Sequence, residues 1–354
     1  MTERDRTFDV ARGIAIIAIV VGHVWRGFGT AGLIDAPESV LIAVDRGLYL
    51  FHLSVFVFIS GLFTAGSADR AGWPPYVWQR FVQFTYLYLL WSILEGCVKA
   101  LAGSSVNTAQ PWSDVLQVWR PASQMWFLPF LLAVIVAFVP WRPWSSKLSS
   151  RFAVGIAVVI SVILWGVNGQ YVFTQGLGLT AFFVIGLIWG AARVQAALKR
   201  ISVTAAVLIA IAAWLLFALS MVWVLPTAPS LGGEDRTPLT VGVGIVASTA
   251  GLVGVLAVSY VVVRVPSWAT DALALLGRRS MELYLAHIVF IGTTRIVLIK
   301  LGLTNVPLVF ALTLIAGVIG PLILSSILKR IGAPWLFEAP RAISRAPAWV
   351  SRSN

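Results

Sequence analysis

The sequence predicts an all-α, polytopic transmembrane helix bundle of about ten spans with both termini in the cytoplasm. Three observations carry that prediction. The 354 residues are 59% hydrophobic and only 11% charged, against roughly 25% charged residues in soluble domains. The mean hydropathy is +0.89. Apolar runs near the ~20 residues needed to cross a bilayer recur along the whole chain.

Ten such runs are read, over 12–33, 44–66, 81–102, 123–140, 152–168, 178–197, 202–225, 239–263, 280–300 and 306–328. The fourth and fifth are the shortest. The first is read as a retained span and not a cleaved signal. Its flank mixes Glu3, Asp5 and Asp9 with Arg4, Arg6 and Arg12, whereas a signal peptide opens on a simply basic stretch. Alternating the connections between two sides gathers 19 of the 26 Lys and Arg on the side of the termini and leaves 7 on the other. The positive-inside rule makes the richer side cytoplasmic. The formal net charge of +12 is then a matter of topology and anionic lipid, and no nucleic-acid partner is expected. Residues 1–330 are read as one integral membrane domain and 331–354 as a cytoplasmic tail. The expected location is the cytoplasmic membrane.

Motif chemistry narrows the function. Cys97 is the only cysteine, so no disulfide or cysteine-based metal site can form within one chain. HExxH, P-loop, dinucleotide and nucleophile-elbow patterns are absent, and no metal is expected. The three histidines, His23, His52 and His287, all fall inside apolar runs, where ionisable groups are costly and point to function.

The first run is bracketed by Arg12 and His23. Eleven helical steps return to within about 20° of three full turns, so both side chains share a stripe about 16 Å long. Arg12 fits either a basic flank anchor or a ligand to an anionic substrate. His23 is either hydrogen-bonded packing or a base near mid-bilayer. In the second run His52 lines an entrance or anchors at the interface, and Ser60-Gly61 doubles as a close-packing site. The third run carries Tyr88, Ser92, Glu95 and Lys99 on one stripe. Glu95 and Lys99 stand in the favourable order for an ion pair; the other reading makes them a cavity wall. In the ninth run Ser280, Tyr284 and His287 share a face, preceded by Arg278 and Arg279. These arginines could meet phosphates, and topology explains them equally well.

Several of these segments, in order, resemble the membrane-bound acyltransferase-3 family. Asp9-Val-Ala-Arg12-Gly followed by His23 is similar to its opening. The Phe51-His52 to Ser60-Gly61 run resembles its second helix, in the form seen in fucose-4-O-acetylase-like members. Met125-Trp126-Phe127-Leu128 is similar to its Trp-Phe-Leu segment, and Leu276-Gly277 with Ser280, Tyr284 and His287 to its late stretch. The chain departs from the family where an Arg-x-x-Arg is usual: Arg80 is present, but Gln83 takes the second position. Leu53-Ser54 stands in place of Met-Pro.

The resemblance implies O-acylation of a carbohydrate or glycan-related hydroxyl. Acyl-CoA, acetyl-CoA in the simplest case, would be co-substrate, with no bound cofactor. It makes His23 and Arg12 the catalytic pair, and Arg80, Ser60, Trp126, Glu95, Tyr284, His287 and His52 candidate binding residues. Imidazole suits the removal of a hydroxyl proton at neutral pH, and a covalent acyl-His23 is the alternative route. The competing reading is a transporter or flippase for a polar or glycosylated lipid, since buried His and Glu also mark substrate paths. Acyl transfer by purified protein separates the two. A non-catalytic scaffold would leave His23 unexplained.

Overall fold

The computed structural model of the chain describes residues 6–121, 123–231, 236–347 and 350. The described residues form helices and connecting loops, with one isolated bridge between Asn168 and Gln175 and no strand. The long helices are α1 (Arg6–Thr30), α2 (Glu38–Ala71), α3 (Trp73–Ala102), α4 (Phe127–Phe138), α5 (Lys147–Leu164), α6 (Thr180–Lys199), α7 (Val203–Trp223) and α8 (Pro238–Val262). They continue with α9 (Trp268–Arg278), α10 (Ser280–Lys300), α11 (Val306–Arg330) and a single turn, α12 (Arg341–Ser344). Several begin on a side-chain cap: Ser146, Ser202, Thr237, Ser267 and Asn305 each accept a backbone N–H three residues on. Such caps satisfy amide donors that the first turn leaves open.

Nine helices among the described residues are long and apolar enough to cross a membrane. The remaining expected span, the fourth, is shorter. It is a 3₁₀ turn over Ser123–Trp126 that runs into α4, and Ser123–Phe138 still carries the chain between the two faces. Its start lies beside the last turn of α3, at Lys99, and the loop beyond its end returns to Asp69 through Arg142 and Trp144. The structure adds α9, an 11-residue amphipathic helix that hydropathy alone does not reveal.

The chain's two described ends meet on one face, the terminal face. There Arg6 pairs with Asp271, Asp9 approaches Arg278, and residues 331–347 fold back onto α3. The opposite face carries the loop after α3, fastened where Asn107 donates to the Gly27 carbonyl and accepts from Arg295. Helices α1, α2 and α8 are the most enclosed, and α5 and α7 lie at the periphery.

Close crossings place the inner helices. At Gly61 and Gly186, α2 and α6 meet backbone to backbone: a methyl at Gly61 would strike the Phe183 carbonyl, and one at Gly186 the Phe58 carbonyl. Gly61 therefore packs, while its neighbour Ser60 faces the other way. At Gly13 and Gly277, α1 and α9 cross likewise, against the carbonyls of Leu273 and Asp9. Small residues at such crossings let backbones approach where lipid offers no hydrophobic drive.

Candidate functional site

The inner helices surround one cavity enclosing about 1320 Å³, counting its open mouth. Helix α1 contributes Arg12, Ile16, Ile19 and His23 to its wall, spaced four, three and four residues apart. That is the helical stripe the first run encodes. His23 is half-buried and makes no hydrogen bond among the described residues. Its ring lies 5.1 Å from that of His287.

His287 is fully buried and does not itself line the cavity; it backs His23. Its Nδ1 lies 2.8 Å from the Leu283 carbonyl. A carbonyl only accepts, so Nδ1 carries the proton and, in the neutral ring, Nε2 keeps its lone pair. That Nε2 has no partner among the described residues.

Of the other residues singled out in the sequence, His52, Ser60, Arg80, Trp126 and Tyr284 reach the cavity wall. Ser60 donates to the Phe56 carbonyl at 2.8 Å, which leaves its hydroxyl oxygen able to accept. Tyr284 donates to the Gln124 carbonyl at 2.7 Å. His52 packs edge-on to Tyr49, 4.9 Å between ring centres. Tyr49 in turn is held by Arg26, whose guanidinium donates to its hydroxyl at 3.0 Å and grips both oxygens of Asp45. This interlock backs the end of the cavity away from the terminal face.

Glu95 departs from both sequence readings. It does not pair with Lys99, and it stands one layer behind the wall. Its Oε1 accepts from Gln124 Nε2 at 2.7 Å, while Lys99 donates to Ser123 at 2.8 Å. The polar stripe of α3 faces α4 and the loop before it: Tyr88 donates to the Val118 carbonyl. Two opposite charges at helical spacing were offered other partners by an element distant in sequence.

Gln124 is the wall residue the sequence reading missed, along with Tyr49. The signal for Gln124 was present, a polar amide directly ahead of Met125-Trp126-Phe127. Arg278 also reaches the cavity, whereas Arg279 is spent on structure, donating to Ser326 and the Leu322 carbonyl at 3.0 and 3.1 Å.

The mouth at the terminal face is cationic. Arg12 lies over the Phe63 ring at 5.1 Å and Arg80 over Tyr76 at 5.2 Å. Arg278 stands 3.9 Å from buried Asp9. The cavity thus joins an electropositive entrance, an apolar middle of Ile16, Ile19 and Phe127, and an imidazole deeper in. The charge of that lining suits an anionic group at the mouth, with a titratable nitrogen farther in.

Residues 5–326 match the model of a family described as an acyltransferase domain. Two nodulation proteins NolL are similar over shorter stretches. That of Mesorhizobium japonicum is 29% identical over 97 residues, covering 27% of this chain and 25% of its own. That of Sinorhizobium fredii is 31% identical over 99 residues, covering 28% and 26%. The chain thus spans about a quarter of the length of these curated relatives. No solved structure matches.

Proposed function

The chain belongs to the acyltransferase-3 family and is a multi-pass membrane acyltransferase, and on that premise we propose that it moves an acyl group from acyl-CoA to a hydroxyl of a carbohydrate or glycan-related acceptor. Acetyl is the simplest acyl group. The terminal face is the cytoplasmic one in this reading, because the basic residues gather there, so the donor enters where acyl-CoA is found. The membrane is the cytoplasmic membrane.

The observation that carries the reading is the shared stripe of Arg12 and His23 on the wall of one cavity. The donor's charged head rests among Arg12, Arg80 and Arg278, and its thioester reaches His23. A neutral imidazole nitrogen of His23 takes the acceptor's hydroxyl proton as the oxygen attacks the thioester carbonyl. The carbon–sulfur bond then breaks, and the departing thiolate takes a proton from the imidazolium. Ester and free thiol leave, and His23 returns to its starting state. The ring of His287, held by Leu283, keeps His23 company without competing for the donor. Arg12 is permanently charged and planar, which suits it to a phosphate or to a carbonyl gaining charge. Ser60, His52, Trp126 and Tyr284 surround the acceptor.

The test is acyl transfer from labelled acetyl-CoA by purified protein in proteoliposomes. His23→Ala is expected to lose about 10²- to 10⁴-fold in turnover while folding and inserting normally. Arg12→Lys is expected to be strongly impaired, since lysine cannot reproduce the fork. Near-normal turnover in His23→Ala would remove the base from its role, and a normal Arg12→Lys would reduce Arg12 to a flank anchor.

A further inference from the structure

We propose that the segment after α11 completes the donor site: Arg341 and Arg345 bind the nucleotide phosphates of the CoA carrier at the mouth of the cavity. The inference rests on the acyl-CoA reading and adds residues that lie beyond the span of the family match, which ends at 326.

A groove on the terminal face adjoins the cavity and shares Arg80, Phe84, Arg278 and Met281 with it. Its other wall comes from the tail, through Arg341, Ser344 and Arg345. The tail is fastened there by α3. Trp91 Nε1 donates to the Leu336 carbonyl at 2.6 Å, and Tyr86 to the Trp335 carbonyl at 3.0 Å. Gln83 clamps it twice: its Nε2 donates to the Phe337 carbonyl at 3.5 Å, and its Oε1 accepts the Ala339 N–H at 3.0 Å. Phe337 is 3% exposed, so this is a docked segment. Gln83 occupies the position where an arginine would otherwise stand beside Arg80. Here it holds in place a segment that brings two arginines to the same groove.

The charges in the groove do not cancel. Glu282 accepts from Lys329 at 3.0 Å, from Ser325 at 3.3 Å and from Arg279 at 3.4 Å, and Glu338 lies 4.0 Å from Lys329. Both acids are therefore answered by Lys329 and Arg279. Among the described residues, Arg80, Arg341 and Arg345 have no carboxylate within ion-pair distance. Three guanidiniums around one groove repel each other until a polyanion enters, and guanidinium forks match phosphate geometry. Since the groove runs into the His23 cavity, a carrier held by its phosphates there can thread its thioester arm past Arg12.

Binding is measured in discs of neutral phosphatidylcholine with CoA and with 4′-phosphopantetheine, which lacks the nucleotide. Arg341→Ala/Arg345→Ala is expected to weaken CoA about tenfold or more, with a shallower salt dependence, and to bind 4′-phosphopantetheine like the parent. Gln83→Ala, which removes two of the four hydrogen bonds from α3 that hold the tail, is expected to weaken CoA binding in the same direction. Equal CoA affinity in parent and double variant would overturn the proposal. So would a variant effect seen only in phosphatidylglycerol discs, which would assign the groove to lipid headgroups. Failure of the wild-type protein to bind CoA would overturn it as well. If the parent binds CoA through these arginines yet transfers no acyl group, the functional reading fails and the phosphate site stands. If the parent transfers acyl groups and the double variant keeps its KM for acetyl-CoA, the phosphate site alone fails.

Discussion

A buried carboxylate with one oxygen bonded and the other bare is an unusual residue to keep inside an apolar helix. Glu95 is 1% exposed; its Oε1 accepts from Gln124, and its Oε2 has no partner among the described residues. Gln124 in turn presents a buried, unpartnered Oε1 and offers its carbonyl to Tyr284 on the cavity wall. Glu95 thus holds the Gln124 amide from behind the cavity wall. Glu95→Ala would strand the Gln124 amide, a loss of about 1–3 kcal/mol. Glu95→Gln can still accept from it, and its own amide can donate to the idle Gln124 oxygen. Thermal unfolding in detergent should therefore fall for Glu95→Ala and hold for Glu95→Gln; equal losses would show that charge, not the amide bond, matters at this position. At this scale the sequence was most informative where one helix sufficed. Arg12 and His23 share a stripe because helical geometry alone puts them there. Glu95, Lys99 and Gln124 were opaque because their partners come from an irregular turn about thirty residues on, which no local spacing encodes.

Elements meet in this bundle where side chains are missing. The crossing of α1 and α9 at Gly13 and Gly277 sets Arg12 and Arg278 on one rim, so the cationic mouth depends on two hydrogens in place of methyls. A methyl at Gly277 would strike the backbone carbonyl of Asp9, which cannot rotate away as a side chain could. Gly277→Ala should cost about 1–3 kcal/mol and weaken donor binding with it. Gly292→Ala on α10 meets nothing within 4 Å and gains helix propensity of up to about 1 kcal/mol. Melting temperatures of the two variants should therefore move in opposite directions; parallel shifts would mean that the crossing tolerates a methyl. The long apolar helices were legible from hydropathy because length and composition define a span. Two elements were not. Helix α9 is short and amphipathic and lies along the terminal face, so it carries no long apolar run. The fourth span is not one continuous α-helix: it opens as a 3₁₀ turn at Ser123–Trp126, where Ser123 has a φ of 46° and Gln124 joins the cavity wall.

Across the whole molecule, the cavity has a cationic entrance at one face and a polar interlock of Arg26, Asp45 and Tyr49 at the other. The donor and acceptor therefore have distinct approaches only if the two faces lie in different compartments. The basic residues gather on the terminal face, and chains orient with that excess toward the cytoplasm. Nine of the ten expected spans are helices long and apolar enough to cross a membrane, and the fourth is the shorter segment Ser123–Phe138. The tail's return to α3 was not legible in the sequence, since its bonds run from side chains of α3 to backbone carbonyls that any residues could supply. Orientation can be read with single cysteines after Cys97→Ser, the chain having no other thiol. Ser113 on the far loop and Ser145 before α5 are both exposed and lie on opposite faces. In intact cells a membrane-impermeant maleimide should label Ser113→Cys and spare Ser145→Cys, and permeabilised cells should show both labelled. Labelling of Ser145→Cys alone would turn the molecule over. The cationic mouth would then face away from the cytosolic pool of acyl-CoA, and the donor would have to come from the other compartment or enter past the Arg26–Asp45–Tyr49 interlock.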